Sequence, residues 1–333
     1  VTCMAYGVPC IGTSISFEGM GLHDGQDVAI ADKPEDFASS IKRLYQDEAL
    51  WAQLSQRGYS IVQSQYSFEA AGKKYEDTLT RLGGSIRKRH IPTTYYGICN
   101  VCGATTRFKT LGSENLRESL LCEACGASCR NRSLASGILS LTKATGARSI
   151  AELACSPVGL RIFDTDGHSS LFKILQSSTF YSSSVYLPQR PFGDVIRPKL
   201  QNIDLQRMPF PDNVYDMILT SDVMEHVRRD VEAHREIHRC LKPGGYYVFT
   251  APYVPAWKDT QIRVDSSGPQ DVFLMEKQYH GDPLSSEGIL VYRIYGQELC
   301  RQLGALGFEV AFDNAPDPVH GILFKDLFVC KKK

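Results

Sequence analysis

The 333-residue sequence lacks any uninterrupted apolar run of about 18 residues, the length that a membrane-spanning helix requires. It also lacks an excess of charge, because 37 Lys and Arg residues balance 37 Asp and Glu residues. Without a net field we expect neither nucleic acid nor an anionic membrane as a partner. No signal-peptide pattern is present, which favours the cytoplasm.

Cysteine, in contrast, is abundant, with 11 residues. In a reducing compartment such thiols are expected to bind metal rather than to form a disulfide framework. The length predicts two or three domains. The chain opens with VTCMAYGVPC, which lies inside a strand-like pattern, so we expect it to be part of a longer polypeptide that continues upstream of Val1.

Four of the cysteines form two short motifs, CNVCG and CEACG, within residues 98–130. Two residues between the cysteines of each motif let one tight turn direct both thiolates at the same ion, and four sulfurs suit a closed tetrahedral Zn²⁺ site. The pattern therefore predicts a small zinc ribbon with a structural metal, and disulfides are the alternative. The predicted ligands are Cys99, Cys102, Cys122 and Cys125.

Residues 131–333 alternate strand and helix patterns, which predicts an α/β fold with a mostly parallel, Rossmann-like sheet. Residues 83–97 combine Gly, Ser and Pro with a short basic run, which predicts a linker. SIAELAC and LRIFDTD compete for the first strand, and we favour LRIFDTD because its acids then lie at a strand end. Polar residues at the strand ends should converge on one crevice.

Residues 1–82 also alternate strand and helix patterns. Three stretches, MAYGVPCIGTS, EGMGLHDGQDVAIADKPEDFASSIKRLYQDEALWAQLS and QYSFEAA, resemble the tail of the C-terminal lobe in two-lobed (GT-B, family 4-like) glycosyltransferases. The resemblance implies a partial Rossmann-like glycosyltransferase lobe. Because it covers only the end of that fold, we do not expect this segment to transfer a sugar by itself.

The run IDLQRMPFPDNVYDMILTSDVMEHVRRDVEAHREIHRCLKPGGYYVFTAP resembles class I S-adenosylmethionine-dependent methyltransferases of the type 11-like kind. The Pro-Phe stretch, the Tyr-Asp pair, Glu-His-Val and Leu-Lys-Pro-Gly-Gly occur in the order and spacing of that family. The resemblance implies S-adenosylmethionine as the cofactor. It also implies that Asp204 accepts a hydrogen bond from adenine, with Leu205 giving backbone contacts, and that Ser221 and Asp222 border the methyl-transfer pocket.

The loop after the first strand, DTDGHSS, has one glycine where that family has a glycine-rich loop. The resemblance places Asp164, Asp166 and Gly167 beside the amino acid part of the cofactor, whose cationic groups favour nearby carboxylates. After the second strand the family has an acidic residue for the ribose, whereas this chain has Tyr186 in SSVYLPQ. We therefore expect a variant set of contacts to the cofactor.

Methyl transfer to a hydroxyl requires in-line placement of the acceptor and a base. In QYHGDP, residues 278–283, we predict His280 as the base and Asp282 as the residue that orients it. The alternative is that this loop only folds over the cofactor. His234 and His238 lie at helical spacing beside arginines, and we expect both at the surface.

Three functions remain open. The first is a methyltransferase that modifies a saccharide or glycan-precursor hydroxyl, because a glycosyltransferase-like segment shares the chain. The second is a non-catalytic, degenerate Rossmann-like scaffold attached to a glycosyltransferase. The third is glycosyltransferase activity of the intact parent chain, with the upstream region supplying the missing lobe.

Overall fold

In the computed structural model the chain forms two compact units, Val1–Ile91 and Pro92–Lys333. The structure describes residues 2–81, 94–110, 115–157, 159–282 and 285–333. Across these ranges, none of the helices has both the length and the apolar surface that crossing a membrane would demand.

The smaller unit combines helices with a short parallel sheet, in which Ile11 pairs with Ala29. Met4, Val28 and Val62 form its buried core. Both strands and helices are therefore present over this part of the chain, but the two strands come before three helices and do not alternate with them. Its elements are α1 (Thr2–Ala5), β1 (Ile11–Gly12), β2 (Ala29–Ile30), α2 (Pro34–Gln46), α3 (Glu48–Ile61) and α4 (Phe68–Arg81).

The larger unit begins with a three-stranded antiparallel sheet that carries both cysteine motifs. Its elements are β3 (Thr94–Ile98), β4 (Thr105–Thr110), α5 (Leu116–Ser119) and β5 (Leu120–Cys122). We call residues 94–128 the cysteine segment. Because β3 begins at Thr94, the predicted linker was wrong over residues 94–97; residues 82–93 lie outside the described residues.

The rest of the larger unit forms one main sheet with helices on its faces. Its first elements are α6 (Cys129–Leu141), α7 (Ile150–Ala154), β6 (Ile162–Asp164), α8 (Ser170–Leu175), β7 (Tyr181–Val185), β8 (Val195–Arg197), β9 (Leu200–Asn202), β10 (Tyr215–Ser221), α9 (Asp230–Cys240) and β11 (Leu241–Thr250). The last are β12 (Gln261–Ile262), β13 (Val264–Asp265), β14 (Val272–Phe273), β15 (Tyr279–Asp282), β16 (Ser285–Leu290), β17 (Arg293–Ile294), α10 (Glu298–Ala305), β18 (Phe308–Asp313) and β19 (Leu327–Lys332).

The main sheet has the order β18-β19-β11-β10-β6-β7-β9-β8. Strands β9, β7, β6, β10 and β11 are parallel to their neighbours in this run, and β19 is antiparallel to both β11 and β18. The chain therefore winds outwards from β6 in one direction and from β10 in the other, the topology of a Rossmann-like fold. LRIFDTD supplies the first strand, as predicted, and SIAELAC lies in α7 instead.

Alternating residues of the central strands pack on opposite faces of the sheet. Met217 and Leu219 of β10 pack with α6, α7 and α8, whereas Ile218 packs with α9 and α10. Buried residues of the cysteine segment, including Phe108 and Leu120, belong to the same core as α6 and α8. The cysteine segment is therefore packed onto one face of the main sheet.

The surface prediction for His234 was wrong, because α9 turns this residue towards the sheet. His234 is 1% exposed and lies against the rings of Tyr247 and Phe249. The spacing of Ala233 and Ile237, both fully buried, defines the same helix face. Burial lowers the pKa of His234 to about 4, so this ring is neutral at physiological pH.

Candidate active site

A cavity of about 960 Å³ lies at the carboxyl ends of the parallel strands. Four strand ends contribute to its wall: the loop after β6, the end of β7, the turn after β10 and the residues after β11. This is where open α/β sheets bind ligands, next to the point at which the strand order reverses. Of the polar strand-end residues expected to converge on one crevice, Asp166, Gly167, Ser221 and Asp222 line this cavity, and Tyr186 lines it as well.

Two other parts of the larger unit close the cavity from outside the sheet. One is the cysteine segment with the start of α6, which contributes Arg117, Glu118 and Arg130. The other is the hairpin of β15 and β16, which contributes Tyr279 and His280. The sequence predicted a loop at residues 278–283, and the structure shows that this stretch forms one arm of a hairpin.

Asp164 holds the loop after β6 instead of lining the cavity. Its carboxylate accepts a hydrogen bond from the hydroxyl of Tyr181 at 2.7 Å and another from the backbone N–H of Asp166 at 3.0 Å. Burial and the nearby carboxylate of Asp166 raise the pKa of Asp164 to about 7. Asp164 thus positions Asp166 and Gly167, which do reach the cavity wall.

Gly167 is required by close packing of this loop. A Cβ atom on Gly167 would lie 2.3 Å from Cδ1 of Leu200 and 3.2 Å from a methyl carbon of Val185. The backbone can therefore approach the second and third strands only because the side chain is absent. The carbonyl of Gly167 also accepts a hydrogen bond from Arg197 at 3.0 Å.

Tyr186 follows β7 and stacks on Phe192, with ring centroids 5.6 Å apart. It lines the cavity at the position where the sequence predicts a replacement for an acidic ribose ligand. Asp204 and Leu205 lie outside the described lining, and the carboxylate of Asp204 accepts hydrogen bonds from the backbone and side chain of Gln206. Their predicted adenine contacts therefore stay predictions.

Asp222 forms the most strongly polar contact in the cavity wall. Arg117 of α5 donates two hydrogen bonds to its carboxylate, at 2.6 and 2.8 Å, and the hydroxyl of Thr250 donates a third at 2.8 Å. Burial alone would raise the pKa of Asp222, but Arg117 and Arg130 outweigh burial and lower it to about 2. The carboxylate is therefore ionised and paired at all physiological pH values.

Arg130 extends the same network to the end of β10. It donates a hydrogen bond to Oε1 of Glu118 at 2.8 Å and contacts both the hydroxyl and the carbonyl of Ser221. Asp222 itself has φ of +51°, a backbone conformation that is uncommon for a residue with a side chain. The cysteine segment and the start of α6 thus supply one cation each, Arg117 and Arg130, to a strained turn at the centre of the site.

Glu225 lies just after this turn and is fully buried. The imidazole of His226 lies 3.6 Å from Oε1 of Glu225, and that of His280 lies 3.8 Å from the same atom. Burial raises the pKa of Glu225 well above its usual range. The side chain of Asp282, the predicted partner of His280, lies outside the described residues.

The four motif cysteines meet as the spacing predicts, with all sulfurs within 4.8 Å of one another. The distance is 3.8 Å between Cys99 and Cys125 and 3.9 Å between Cys102 and Cys122. A tetrahedral zinc ion with Zn–S bonds of about 2.3 Å separates its sulfurs by about 3.8 Å. The two sulfurs of a disulfide lie about 2.05 Å apart, so these longer sulfur–sulfur distances fit a metal site and not a disulfide.

The two cysteine turns share one backbone pattern. The N–H of Gly103 donates to the carbonyl of Cys99 at 2.7 Å, and the N–H of Gly126 donates to that of Cys122 at 2.8 Å. Both glycines have positive φ, at +82° and +73°, as a tight turn behind each cysteine pair requires. The local sequence therefore directs the thiolates towards one point.

Comparison with known proteins places a methyltransferase domain in this part of the chain. Residues 182–249 match the family model described as a methyltransferase domain. A protein described as an uncharacterized methyltransferase of Schizosaccharomyces pombe is 43% identical over 42 residues, which are 13% of this chain and 15% of that protein. The chain thus matches about one-seventh of the length of this curated relative.

Among solved structures, an S-adenosylmethionine-dependent methyltransferase from Mesorhizobium loti is 17% identical with a TM-score of 0.34, covering 53% of this chain and 91% of that one. CalS10 from Micromonospora echinaspora, described as an amino pentose methyltransferase, is 12% identical with a TM-score of 0.35, covering 59% and 97%. Because both TM-scores are low, neither likeness supports a conclusion beyond the fold that the strand order already shows.

The order of the main sheet is that of a Rossmann-like α/β fold, and the cavity lies at its switch point. The match over residues 182–249 assigns a methyltransferase domain to the larger unit, and the order of the main sheet agrees with the Rossmann-like fold of such a domain.

Proposed function

We propose that this domain transfers the methyl group of S-adenosylmethionine to a hydroxyl of a saccharide or glycan-precursor acceptor in the cytosol. The observation that carries the proposal is the cavity at the strand ends. Its volume of about 960 Å³ lies near the upper end of small-molecule sites and leaves room for the cofactor and a small acceptor. The glycosyltransferase-like segment of the chain motivates the acceptor class.

S-adenosylmethionine supplies an electrophilic methyl group on a cationic sulfur. Asp166, Gly167 and Tyr186 would hold the cofactor, because these residues line the cavity beside the ends of β6 and β7. The carboxylate of Asp166 offers a negative charge to the cationic groups of the cofactor. Gly167 lets the loop backbone lie close to the next strands, which keeps this end of the cavity open.

His280 is the predicted proton acceptor on the opposite wall. In the transfer step the acceptor oxygen bonds to the methyl carbon, the carbon–sulfur bond breaks, and its electron pair stays on sulfur. The hydroxyl proton passes to His280, whose ring is part of the cavity wall. Burial lowers the pKa of His280, so its imidazole is neutral and able to accept that proton near pH 7.

The cysteine segment would bind one structural zinc ion through Cys99, Cys102, Cys122 and Cys125. The sulfur–sulfur distances support this assignment. Four sulfur ligands leave no open coordination position, so the ion would stabilise the segment without joining the reaction. Its contribution to the site is indirect, since it fixes the segment that presents Arg117.

Residues 1–82 would form the end of a glycosyltransferase lobe within a longer protein. The parallel pairing of β1 with β2 and the helices that follow support a Rossmann-like tail. A sugar product formed by that parent protein would then be available to the methyltransferase domain.

A methyl-transfer assay tests the proposal. The 333-residue chain is incubated with cofactor labelled in its methyl group and with a panel of glycans, nucleotide sugars and lipid-linked sugars. We expect label in at least one acceptor, and a rate lower by about 10²- to 10⁴-fold in His280→Ala, because a positioned base contributes that much. His320→Asn is the matched control, since His320 lies outside the cavity lining. A protein that binds the cofactor yet labels no saccharide would rule out this acceptor class.

A further inference from the structure

Glu225, His226 and His280 form a compact cluster of metal-ligating side chains in the cavity wall. Glu225 and His226 lie on the 3₁₀ turn Met224–His226, and His280 reaches them from β15. One nitrogen of each ring and one carboxylate oxygen all lie within 4.8 Å of one another. The two rings are nearly perpendicular, with centroids 5.0 Å apart.

The carboxylate of Glu225 is buried without compensation from the protein. Its side chain is 0% exposed. Neither of its oxygens has a hydrogen-bond partner among the described residues. Burying a carboxylate is costly unless it is paired or coordinates a metal. The position therefore calls for a positive charge or a proton, and the imidazoles of His226 and His280 are the nearest groups to this carboxylate.

The Nε2 atom of His226 faces this carboxylate. Its Nδ1 lies 2.8 Å from the carbonyl oxygen of Leu290, and a carbonyl can only accept, so Nδ1 carries the proton. In the neutral ring Nε2 is then the unprotonated nitrogen, and it lies 3.6 Å from Oε1 of Glu225. A hydrogen bond from the second ring nitrogen to a carbonyl is the usual way in which proteins fix a metal-binding histidine.

His280 completes the set from the other side. Its Nδ1 lies 3.8 Å from Oε1 of Glu225, and the side-chain amide of Gln278 lies beside its Nε2. If the amide of Gln278 is rotated by 180°, its oxygen can accept a hydrogen bond from a protonated Nε2 of His280. Nδ1 of His280 is then available to bind an ion. Asp222 does not compete, because Arg117 and Thr250 already bind its carboxylate.

We propose that Glu225, His226 and His280 bind one divalent first-row transition-metal ion at the edge of the methyltransferase cavity. Two imidazoles and one carboxylate are a ligand set that such ions accept while keeping open positions. Bonds of about 2.1 Å place tetrahedral ligands about 3.4 Å apart, so the observed 3.6 and 3.8 Å need contract only slightly. The open positions face the cavity, which both histidines line.

The role of the ion rests on the proposed function, whereas its binding does not. An acceptor hydroxyl bound to the ion becomes more acidic, loses its proton to water and attacks the methyl carbon. The carbon–sulfur electron pair stays on sulfur as before. In the metal-bound protein His280 is a ligand that positions the ion, and the ion activates the hydroxyl; the role of His280 as proton acceptor then applies only to the metal-free protein.

Cobalt(II) provides the test. The zinc-loaded 333-residue chain is dialysed against Co²⁺, and both metals are counted by mass spectrometry. We expect one zinc and one cobalt per chain, with a cobalt spectrum free of sulfur-to-metal charge transfer. Glu225→Gln should keep the zinc and weaken cobalt binding by at least about 100-fold, the upper effect of outer ligand changes. The matched control is His320→Asn, which should bind both metals. In the unmodified chain Nδ1 of His320 lies 2.6 Å from a carboxylate oxygen of Asp317.

Two results would overturn the assignment: no cobalt beyond the cysteine site, or cobalt binding by Glu225→Gln equal to that of the unmodified chain. The first would mean that Glu225 is buried in its protonated form. If Glu225→Gln does not fold, His280→Asn serves instead, because His280 is partly exposed and its loss leaves the core intact. Cofactor binding is measured on the same samples. If the unmodified chain binds the cofactor but no second metal, only this inference is contradicted. If it binds the second metal but not the cofactor, only the proposed function is contradicted.

Discussion

Replacing Cys125 by Ser is expected to release the proposed zinc ion and to lower the free energy of unfolding of the larger unit by on the order of 5 kcal/mol or more. Structural zinc contributes an apparent 10–16 kcal/mol in small zinc domains, and a site with three sulfurs retains only part of it. Cys125 is only partly buried, so loss of packing by the sulfur itself is small. Metal content by mass spectrometry and urea denaturation measure the two effects.

Cys129→Ser is the matched control for this experiment. Cys129 is buried close to the motif cysteines, but its thiol donates to the carbonyl of Phe324 at 3.2 Å, a bond that a serine hydroxyl can replace. We expect full zinc content and a stability change below about 1 kcal/mol for this variant. Equal loss of stability in the two variants, with zinc retained in both, would contradict a structural metal at Cys125.

Replacing Arg117 by Ala is expected to destabilise the larger unit by about 3 kcal/mol at pH 7, because it leaves the carboxylate of Asp222 with an incomplete set of partners. The side chains of Arg117 and Asp222 are only 17% and 22% exposed, so solvent screens this pair weakly. Urea denaturation at pH 7 measures the change. Arg107→Ala is the matched control in the same segment, since Arg107 is exposed and solvent screens its pair with Glu123, so this change should alter stability little.

The pH dependence of this effect has a defined direction. The pKa of Asp222 is lowered to about 2 in the folded protein, below its ordinary value near 4. Its ionic stabilisation is therefore complete above pH 4 and is lost as pH falls towards 2. The difference in stability between the unmodified chain and Arg117→Ala should shrink over this interval. A constant difference would mean that Arg117 acts through packing rather than through charge.

Much of the main sheet could be predicted from the sequence because its signals are local. The apolar strand cores, the Lys-Pro-Gly-Gly turn and the acids at strand ends follow from composition and spacing within a few residues. The closing antiparallel strands β18 and β19 follow the same rule. The cysteine motifs are equally local, since two turns of identical spacing bring four sulfurs together.

The polar network of the site could not be predicted, because its partners are distant in the chain. Arg117 and Asp222 are 105 residues apart, and no local pattern in TTRFKTLGSENLRES connects them. The burial of Glu225 depends on the hairpin that carries His280, which also lies far along the sequence. His234 was wrongly predicted to be exposed because arginines flank it in the sequence. The spacing of the apolar residues in α9 already indicated that this residue lies on the buried face of the helix.

Calorimetric titration of S-adenosylmethionine into the 333-residue chain tests the central claim, that the cavity at the strand ends binds this cofactor. We expect micromolar binding that is weakened at least tenfold in Asp166→Ala and, if adenine reaches the end of β9, also in Asp204→Ala. Asp194→Ala, outside the cavity lining, is the matched control and should bind normally. No binding by a folded, zinc-loaded chain would contradict the account and favour a non-catalytic scaffold.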